Sequence, residues 1–442
     1  MTTVAIIGAG MMIKPMVDYF IEKCGYEVIV ANRTLSKAEK VVAGRPQGKA
    51  VHWPVDRTDV LDGVMAEADL AISMVPKPLH IHVARACLRQ GKSMLTTSYE
   101  IPELVALDQE AKEKGILILN ELGEIPGMDH FGTQLLLDET REQGGKVVSL
   151  NSYGTGLPAF EFNRNPMGYK FSWDPRTVFV AAQTAAAYFV NGKKIEVPGD
   201  RLFEHFWLID VKGTGTFETY PNKDVEKYMK PFGLPADVSF YRGLLRFSGY
   251  CNNMRNIQAL GLMESEQEKD LAGMTYRDFM ASLIGATSTE ALEPAVAGYL
   301  GLDDNADIIH RLKWLGLFDG RPIPISKGTN LDVLLDRMLA RMSYEPNERD
   351  MIILHIDVLA EFPDGRRERK LATMRVEGIP HGDSAMSRAV ALPAAVAARL
   401  VLEGAITETG ALMPPTLPSL YKPALEELAT FGFEFKRETL PA

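Results

Sequence analysis

The sequence predicts an α/β protein that begins with a doubly wound, Rossmann-like parallel sheet. Short, continuous apolar runs such as Val4–Ile7 and residues 70–75 are typical of strands buried on both faces of a parallel sheet. Segments with helical spacing lie between these runs, and such alternation implies right-handed crossovers. A glycine turn directly follows the first run, as expected for a dinucleotide-binding sheet.

Each element follows from its pattern of apolar residues. In the N-terminal part, strands are predicted at 4–7, 27–31, 70–75, 93–98 and 115–122, and helices at 11–23, 35–43, 79–89 and 102–114. Residues 146–222 contain short β-like runs with Gly and Pro turns. Within residues 225–345, helices are predicted at 241–262, 275–286, 307–318 and 330–342. Residues 350–359 form a strand, and 348–378 a hairpin that turns at Asp364-Gly365.

Composition narrows the class of protein. A chain of 442 residues favours two or three domains. The net charge of -10 argues against nucleic acid or an anionic membrane as partner. Cys24, Cys87 and Cys251 are widely spaced, so neither a disulfide framework nor a metal site is expected. No signal peptide and no apolar run of about 18 residues is apparent, so we expect a cytoplasmic protein.

The first glycine turn predicts nucleotide binding. Gly8 supplies the tight bend, and Gly10 lets the backbone approach a pyrophosphate at a helix N-terminus. Ile13 replaces the third glycine, which mainly serves helix–strand packing, so we expect a displaced helix with the site retained. The alternative is a strand-to-helix turn that binds nothing.

The end of the second predicted strand favours NADP as the cofactor. NAD sites usually carry a carboxylate there, whereas this chain has Asn32, Arg33 and Thr34. A guanidinium and a hydroxyl suit a 2′-phosphate that a carboxylate would repel. The alternative is a solvated arginine in a loop.

Four longer stretches resemble one family across nearly the whole chain. They are "TTSYEIPELVALDQEAKEKGI" (96–116), "NELGEIPGMDH" (120–130), "GLPAFEFNRNPMGYKFSW" (156–173) and "DSAMSRAVALPAAVAARLVLEGAI" (383–406). The sequence is similar to the glutamate-forming saccharopine dehydrogenases, also called saccharopine reductases. The resemblance implies a homodimer whose subunit has three domains. These are a Rossmann-like domain at 1–125 completed by about 385–442, an α/β substrate and dimerisation domain at 126–222 and 346–384, and a helical insertion at 223–345.

The resemblance also implies a reaction. It would be NADP-dependent oxidation of a secondary amine, converting saccharopine to glutamate and 2-aminoadipate semialdehyde, or the reverse, in lysine metabolism. The substrate would be a small, amino-acid-like molecule. Two alternatives stay open: another carboxyalkylated amine, such as a polyamine precursor, or a nucleotide-binding protein without catalysis.

Further site residues are carried over from the resemblance. The expected cofactor contacts are Met11, Met12, Asp56, Val75, Thr97, Ser98 and Ser172. The expected substrate contacts are Ser98, Tyr99, Lys223 and Arg246. An arginine fork can hold a carboxylate in bidentate fashion, whereas Lys223 stands where the family has an arginine. Either cation could instead be a solvated surface residue.

Two residues are candidates for proton transfer. Tyr99 would orient the substrate or relay a proton, or it is an amphipathic tyrosine at a domain seam. Lys77 would be a base if desolvation lowered its pKa, although the family has a tyrosine at this position. The pair Asp129-His130 suggests a catalytic dyad or, more simply, a helix cap.

Two departures from the family pattern affect the substrate assignment. Ile125 replaces an aspartate expected near the substrate, while a carboxylate stands one place earlier at Glu124. Gly154 replaces an expected cysteine. Both changes remove polar side chains from the predicted reacting centre. The sequence therefore predicts the reaction class and leaves the identity of the amine substrate open.

Overall fold

The structure is a computed structural model that describes the backbone of residues 1–442 and every side chain except that of residue 415. The chain divides into two compact units. Unit 1 comprises Met1–Gly156, Lys227–Val238 and Met351–Ala442, and unit 2 comprises Leu157–Glu226 and Ser239–Asp350. The three-domain boundaries implied by the resemblance stay a prediction.

The strands are numbered in chain order. They are β1 (Thr3–Ile7), β2 (Glu27–Asn32), β3 (Gly48–His52), β4 (Leu70–Ser73), β5 (Ser93–Thr96), β6 (Leu117–Leu119), β7 (Lys146–Pro158), β8 (Ala186–Val190), β9 (Lys193–Val197), β10 (Trp207–Val211), β11 (Gly215–Pro221), β12 (Ser239–Arg246), β13 (Lys269–Asp270), β14 (Lys327–Gly328), β15 (Asp350–Glu361), β16 (Arg367–Glu377), β17 (Gly410–Leu412) and β18 (Lys436–Pro441).

The α-helices are numbered in the same way. They are α1 (Lys14–Asp18), α2 (Leu35–Val42), α3 (Thr58–Glu67), α4 (His80–Gln90), α5 (Pro102–Val105), α6 (Asp108–Glu113), α7 (Met128–Glu142), α8 (Pro175–Ala181), α9 (Glu226–Met229), α10 (Tyr250–Ala259), α11 (Tyr276–Leu283), α12 (Leu292–Tyr299), α13 (Asp307–Leu315), α14 (Asn330–Met342), α15 (Ala385–Leu402) and α16 (Pro418–Ala429). A π-helical turn at Tyr19–Lys23 extends α1.

Unit 1 contains the predicted parallel sheet. Its seven strands lie in the order β17-β6-β5-β4-β1-β2-β3. β1 and β4 are buried along their length, as expected for inner strands of a parallel sheet. The order reverses between β1 and β4, and at this switch point open α/β sheets bind their ligands. The predicted fold class is confirmed, although β3 and β17 were not predicted.

The C-terminal part of the chain completes this sheet. β17 pairs in parallel with β6 through Gly410 and Leu117. The alanine-rich helix α15 packs against α1 and α16. Of the described helices, α15 is long and apolar enough to cross a membrane, which corrects the expectation that no such run exists. However, 72% of that window is buried inside the fold, as in a core helix.

A second group of strands in unit 1 includes the predicted hairpin. β15 and β16 pair antiparallel from Met351↔Glu377 to Glu361↔Arg367, and β18 pairs with β16. Gly365 adopts a φ of 82° in the turn, where the sequence predicts Asp364-Gly365. The predicted hairpin is therefore confirmed.

Unit 2 combines an antiparallel sheet with helices. β11 lies between β10 and β12, and β8 pairs with β12 and β9. The prediction of a helix across 241–262 is wrong for its first part: Ser239–Arg246 is β12, and the helix begins at Tyr250 after Gly249. The periodicity of a short, buried apolar run is compatible with both a helix and a strand. Here the run forms a strand because it pairs with β11.

Candidate active site

The glycine turn lies at the switch point of the parallel sheet. Gly8 has a φ of 111°, and a Cβ there would lie 2.5 Å from the Met74 carbonyl oxygen, so only glycine fits. Its N–H donates to the Ala31 carbonyl oxygen at 2.7 Å. A Cβ at Gly10 would meet nothing within 4 Å, so space is open beside that backbone. The turn therefore provides the open cradle that a pyrophosphate requires.

Asn32 ties the end of β2 to the glycine turn. Its Oδ1 accepts from the Ala9 N–H at 3.1 Å, and its Nδ2 donates to the Thr34 carbonyl oxygen at 2.9 Å. Arg33 and Thr34 are exposed, and Arg33 makes no ion pair with any described residue. Asn32 thus shapes the loop, and the Arg33 guanidinium is available to an anion.

The other residues predicted to bind the cofactor in unit 1 follow the carboxyl ends of parallel strands, which share one edge of the sheet. Met11 and Met12 follow β1, Asp56 follows β3, Val75 follows β4, and Thr97 and Ser98 follow β5. Met11 and Asp56 are exposed, Met12, Thr97 and Ser98 are partly buried, and Val75 is buried. The structure therefore brings these predicted positions to one edge.

Ser98 is held at three points. Its N–H donates to Thr96 Oγ1 at 3.2 Å, and its carbonyl oxygen accepts from the Glu121 N–H at 3.0 Å. Its Oγ lies 2.9 Å from His80 Nε2. The other ring nitrogen, His80 Nδ1, lies 2.8 Å from the buried Ser73 Oγ. Burial lowers the pKa of His80 to about 4, so the ring is neutral near pH 7.

The buried carboxylate of Glu121 accepts four hydrogen bonds. One oxygen accepts from the Glu100 N–H at 3.1 Å and from Lys227 Nζ at 2.5 Å. The other accepts from the Tyr228 hydroxyl at 2.8 Å and lies 2.9 Å from His130 Nε2. Burial opposes ionisation, but the His130 and Lys227 contacts outweigh it and lower the Glu121 pKa to about 2.

Tyr99 lies beside this cluster. The Lys227 ammonium is 5.1 Å from the centre of the Tyr99 ring, within cation–π range. Lys77 is exposed in a short 3-10 turn at Lys77–Leu79, whereas a lysine base requires desolvation. Its catalytic role stays a prediction, as does that of Tyr99.

Three of the predicted site residues lie in unit 2. Arg246 is 5% exposed, and its guanidinium carbon lies 5.0–5.6 Å from the ring centres of Tyr169, Tyr220 and Tyr250. Lys223 has a left-handed backbone with a φ of 64°, and its carbonyl oxygen accepts from the Ala187 N–H. The third is Ser172. Its hydroxyl is buried and has no hydrogen-bond partner among the described residues.

The loop between β6 and α7 lies near the end of β5. A Cβ at Gly123 would lie 3.3 Å from the Thr97 carbonyl oxygen. Asp129 Oδ1 accepts from the Gly127 N–H at 2.8 Å in the first turn of α7, although the N-cap residue is Gly127 and no described side chain caps this helix in the usual way. His130 Nε2 contacts Glu121 at 2.9 Å, whereas its Nδ1 lies 3.9 Å from Asp129 Oδ1, longer than the hydrogen bond that a catalytic dyad requires. No group of three or more His, Cys, Asp or Glu among the described residues could hold a metal ion.

Family models match nearly the whole chain. Residues 4–119 match the saccharopine dehydrogenase NADP binding domain, and residues 123–433 match the saccharopine dehydrogenase C-terminal domain. The chain belongs to the saccharopine dehydrogenase family.

Relatives in this family align over the full length. The saccharopine dehydrogenase [NADP(+), L-glutamate-forming] of Schizosaccharomyces pombe is 32% identical, with 100% of this chain and 99% of that protein aligned. The solved structure of apo saccharopine dehydrogenase (L-Glu forming) from Saccharomyces cerevisiae matches with a TM-score of 0.90 at 31% identity, covering 100% of both chains. Bovine mitochondrial alpha-aminoadipic semialdehyde synthase is 31% identical, but this chain spans 48% of it.

The residues of this saccharopine dehydrogenase family member fit NADP. The exposed Arg33, the open backbone at Gly10 and the Ser172 hydroxyl are each available to a ligand. Sequence reasoning missed His80, Glu121 and Lys227. Only "NELG" hinted at Glu121, as a carboxylate directly after a strand, and nothing in the sequence linked it to Lys227.

Proposed function

We propose that the protein is an NADP-dependent saccharopine dehydrogenase, which oxidises saccharopine to glutamate and 2-aminoadipate semialdehyde or catalyses the reverse reaction in lysine metabolism. The full-length match to glutamate-forming enzymes carries this proposal. An unpaired arginine at the end of β2 supports the choice of NADP over NAD.

Residues of the chain would bind NADP and the substrate and orient them toward each other. When bound, NADP supplies the acceptor for a hydride from the carbon beside the amine nitrogen. The glycine turn and Arg33 would hold the pyrophosphate and the 2′-phosphate. Ser98 and Tyr99, at the end of β5, would contact the substrate and fix the reacting carbon. The amine must be neutral for the hydride to leave, and Tyr99 and Lys77 are the candidate proton acceptors.

Arg246 and Lys223 would bind the substrate carboxylates, as the family resemblance implies. Arg246 is surrounded by tyrosine rings, which hold its planar guanidinium in one orientation. Such an orientation favours bidentate contact with a carboxylate. Lys223 would add a second cation without the fork geometry.

The test is turnover of saccharopine. Purified protein with saccharopine and NADP should produce NADPH, seen as growing absorbance, from neutral to alkaline pH. Arg246→Met keeps an unbranched apolar stem but removes the guanidinium and its charge, and it should raise the KM for saccharopine. Absence of NADPH formation across this pH range would remove saccharopine as the substrate.

A second candidate is a related oxidoreductase for another carboxyalkylated amine. The apolar contact between Ile125 and Gly154 favours it, because polar groups expected near the reacting centre are replaced there. A panel of opine-like and carboxyalkyl amines separates the two candidates. A nucleotide-binding protein without catalysis would bind NADPH but turn over no amine on the panel.

We also propose a cytoplasmic homodimer with no nucleic-acid or membrane partner. The family resemblance supports the dimer, and the net charge of -10 opposes binding to polyanions. Light scattering of the purified protein measures its mass against the 48.9 kDa chain.

A further inference from the structure

A hydrogen-bonded chain connects the interior of unit 1 to Ser98. Ser73 Oγ contacts His80 Nδ1 at 2.8 Å, and His80 Nε2 contacts Ser98 Oγ at 2.9 Å. Ser73 and His80 are each 0% exposed, whereas Ser98 is partly exposed at the end of β5. Neither ring nitrogen contacts a carboxylate, so nothing compensates a charge on this buried imidazole.

The buried Ser73 hydroxyl decides which group donates in each of these two hydrogen bonds. A neutral imidazole has one N–H donor and one acceptor nitrogen. Among the described residues, His80 is the partner of the Ser73 hydroxyl. A buried O–H without an acceptor costs more than an unused oxygen lone pair, so Ser73 donates to Nδ1. The proton of His80 is then on Nε2, which donates to Ser98 Oγ.

Ser98 consequently has its own O–H proton free to point away from His80. The hydrogen bond that the Ser98 N–H donates to Thr96 Oγ1 and the one that its carbonyl oxygen accepts from Glu121 already fix the Ser98 backbone. The contact with His80 therefore adds the orientation of the hydroxyl, which the backbone bonds do not determine. An outward O–H donor suits an acceptor-only group such as a carboxylate.

We propose that His80 is a positioning residue that, together with Ser73, orients the Ser98 hydroxyl to donate a hydrogen bond to a carboxylate of the substrate. This inference rests on the proposed function, because an amino-acid-like amine supplies the carboxylate. His80 itself does not touch the substrate or take its proton.

Two amide variants test this orientation. In His80→Gln the side-chain amide reaches the position of Nε2 and can still donate to Ser98. In His80→Asn it reaches only the position of Nδ1, so the contact with Ser98 is lost. We expect both to lose stability, but only His80→Asn to raise the KM for saccharopine, by about tenfold with little change in kcat. In a Ser98→Ala background, His80→Asn should have no further effect on KM.

His355→Asn is the matched control. His355 is also buried and contacts a hydroxyl, Thr373 Oγ1, at 2.8 Å, and its loss should leave the KM unchanged. The proposal is overturned if the two His80 variants raise KM equally, or if His80→Asn still raises KM without Ser98. Imidazole ¹⁵N chemical shifts of the wild-type protein provide a test that needs no turnover. They should place the His80 proton on Nε2, and a proton on Nδ1 would overturn the proposal even if saccharopine proved not to be the substrate.

Discussion

The side chain of Ile125 occupies the space directly above the backbone of Gly154. A Cβ at position 154 would overlap Ile125 Cδ1 and would lie 2.7 Å from Leu354 Cδ2. Ile125 therefore fills the space that a side chain at position 154 would need.

Gly154→Ala should destabilise the protein by ~1–3 kcal/mol, because the added methyl group overpacks the contact. Ile125→Val removes Cδ1, so the same alanine should cost at least ~0.5 kcal/mol less in that background. Urea unfolding of the four proteins in this double-mutant cycle measures the coupling. Gly63→Ala is the control, since a Cβ there meets nothing within 4 Å. If the free-energy costs of the two substitutions simply add, the contact between Ile125 and position 154 is contradicted.

Arg33→Ala should weaken NADP binding by ~1–3 kcal/mol more than NAD binding, because NAD lacks the phosphate that the guanidinium holds. Calorimetric titration with both nucleotides measures the difference. Arg85→Ala is the control, since Arg85 is likewise exposed but lies on α4. Equal weakening of NADP and NAD would show that Arg33 does not read the 2′-phosphate.

His80 should make the protein less stable in mild acid. Its pKa is lowered from 6.5 to about 4 by burial, so the unfolded chain takes up a proton first as the pH falls. The free energy of unfolding should decrease by about 3 kcal/mol between pH about 6.5 and about 4. His80→Gln cannot titrate and should flatten this part of the profile, measured by urea unfolding at several pH values. An unchanged slope in the variant would mean that folding does not lower the pKa of His80.

Glu121 should contribute most to the free energy of unfolding above pH about 4.5. Its pKa is lowered from 4.5 to about 2, so its stabilisation is complete above the unfolded value and is lost as the pH falls toward 2. Glu121→Gln should cost about 3 kcal/mol near pH 7, because Lys227 and His130 lose their shared carboxylate. The difference from wild type should shrink in acid. Glu196→Gln, at an exposed ion pair, should cost less than ~1 kcal/mol.

The sequence was sufficient for the parallel sheet, because its strands are continuous apolar runs separated by helical segments. It was insufficient for β3, whose residues Gly48–His52 are mostly polar or partly exposed at the sheet edge. It also failed at β12, where tyrosine and leucine spacing suits a helix and only pairing with β11 selects a strand.

The candidate site was predictable where residues that are neighbours in the sequence form it, as at the glycine turn and Arg33. Contacts between distant segments were not predictable. Glu121 and Lys227 are 106 positions apart, and no local pattern connects them. His80 stands on the first turn of α4, where it resembles any polar residue at a helix start until the fold brings Ser98 against it.

The pairing of β17 with β6 has a consequence for biosynthesis. The sheet that starts at Thr3 receives its outermost strand only at Gly410, so an emerging polypeptide leaves the backbone of β6 without its neighbour until nearly the whole chain has been translated. An exposed strand edge of this kind can pair with other chains. A fragment that stops at residue 119 would therefore expose the backbone edge of β6 that β17 pairs with in the full chain.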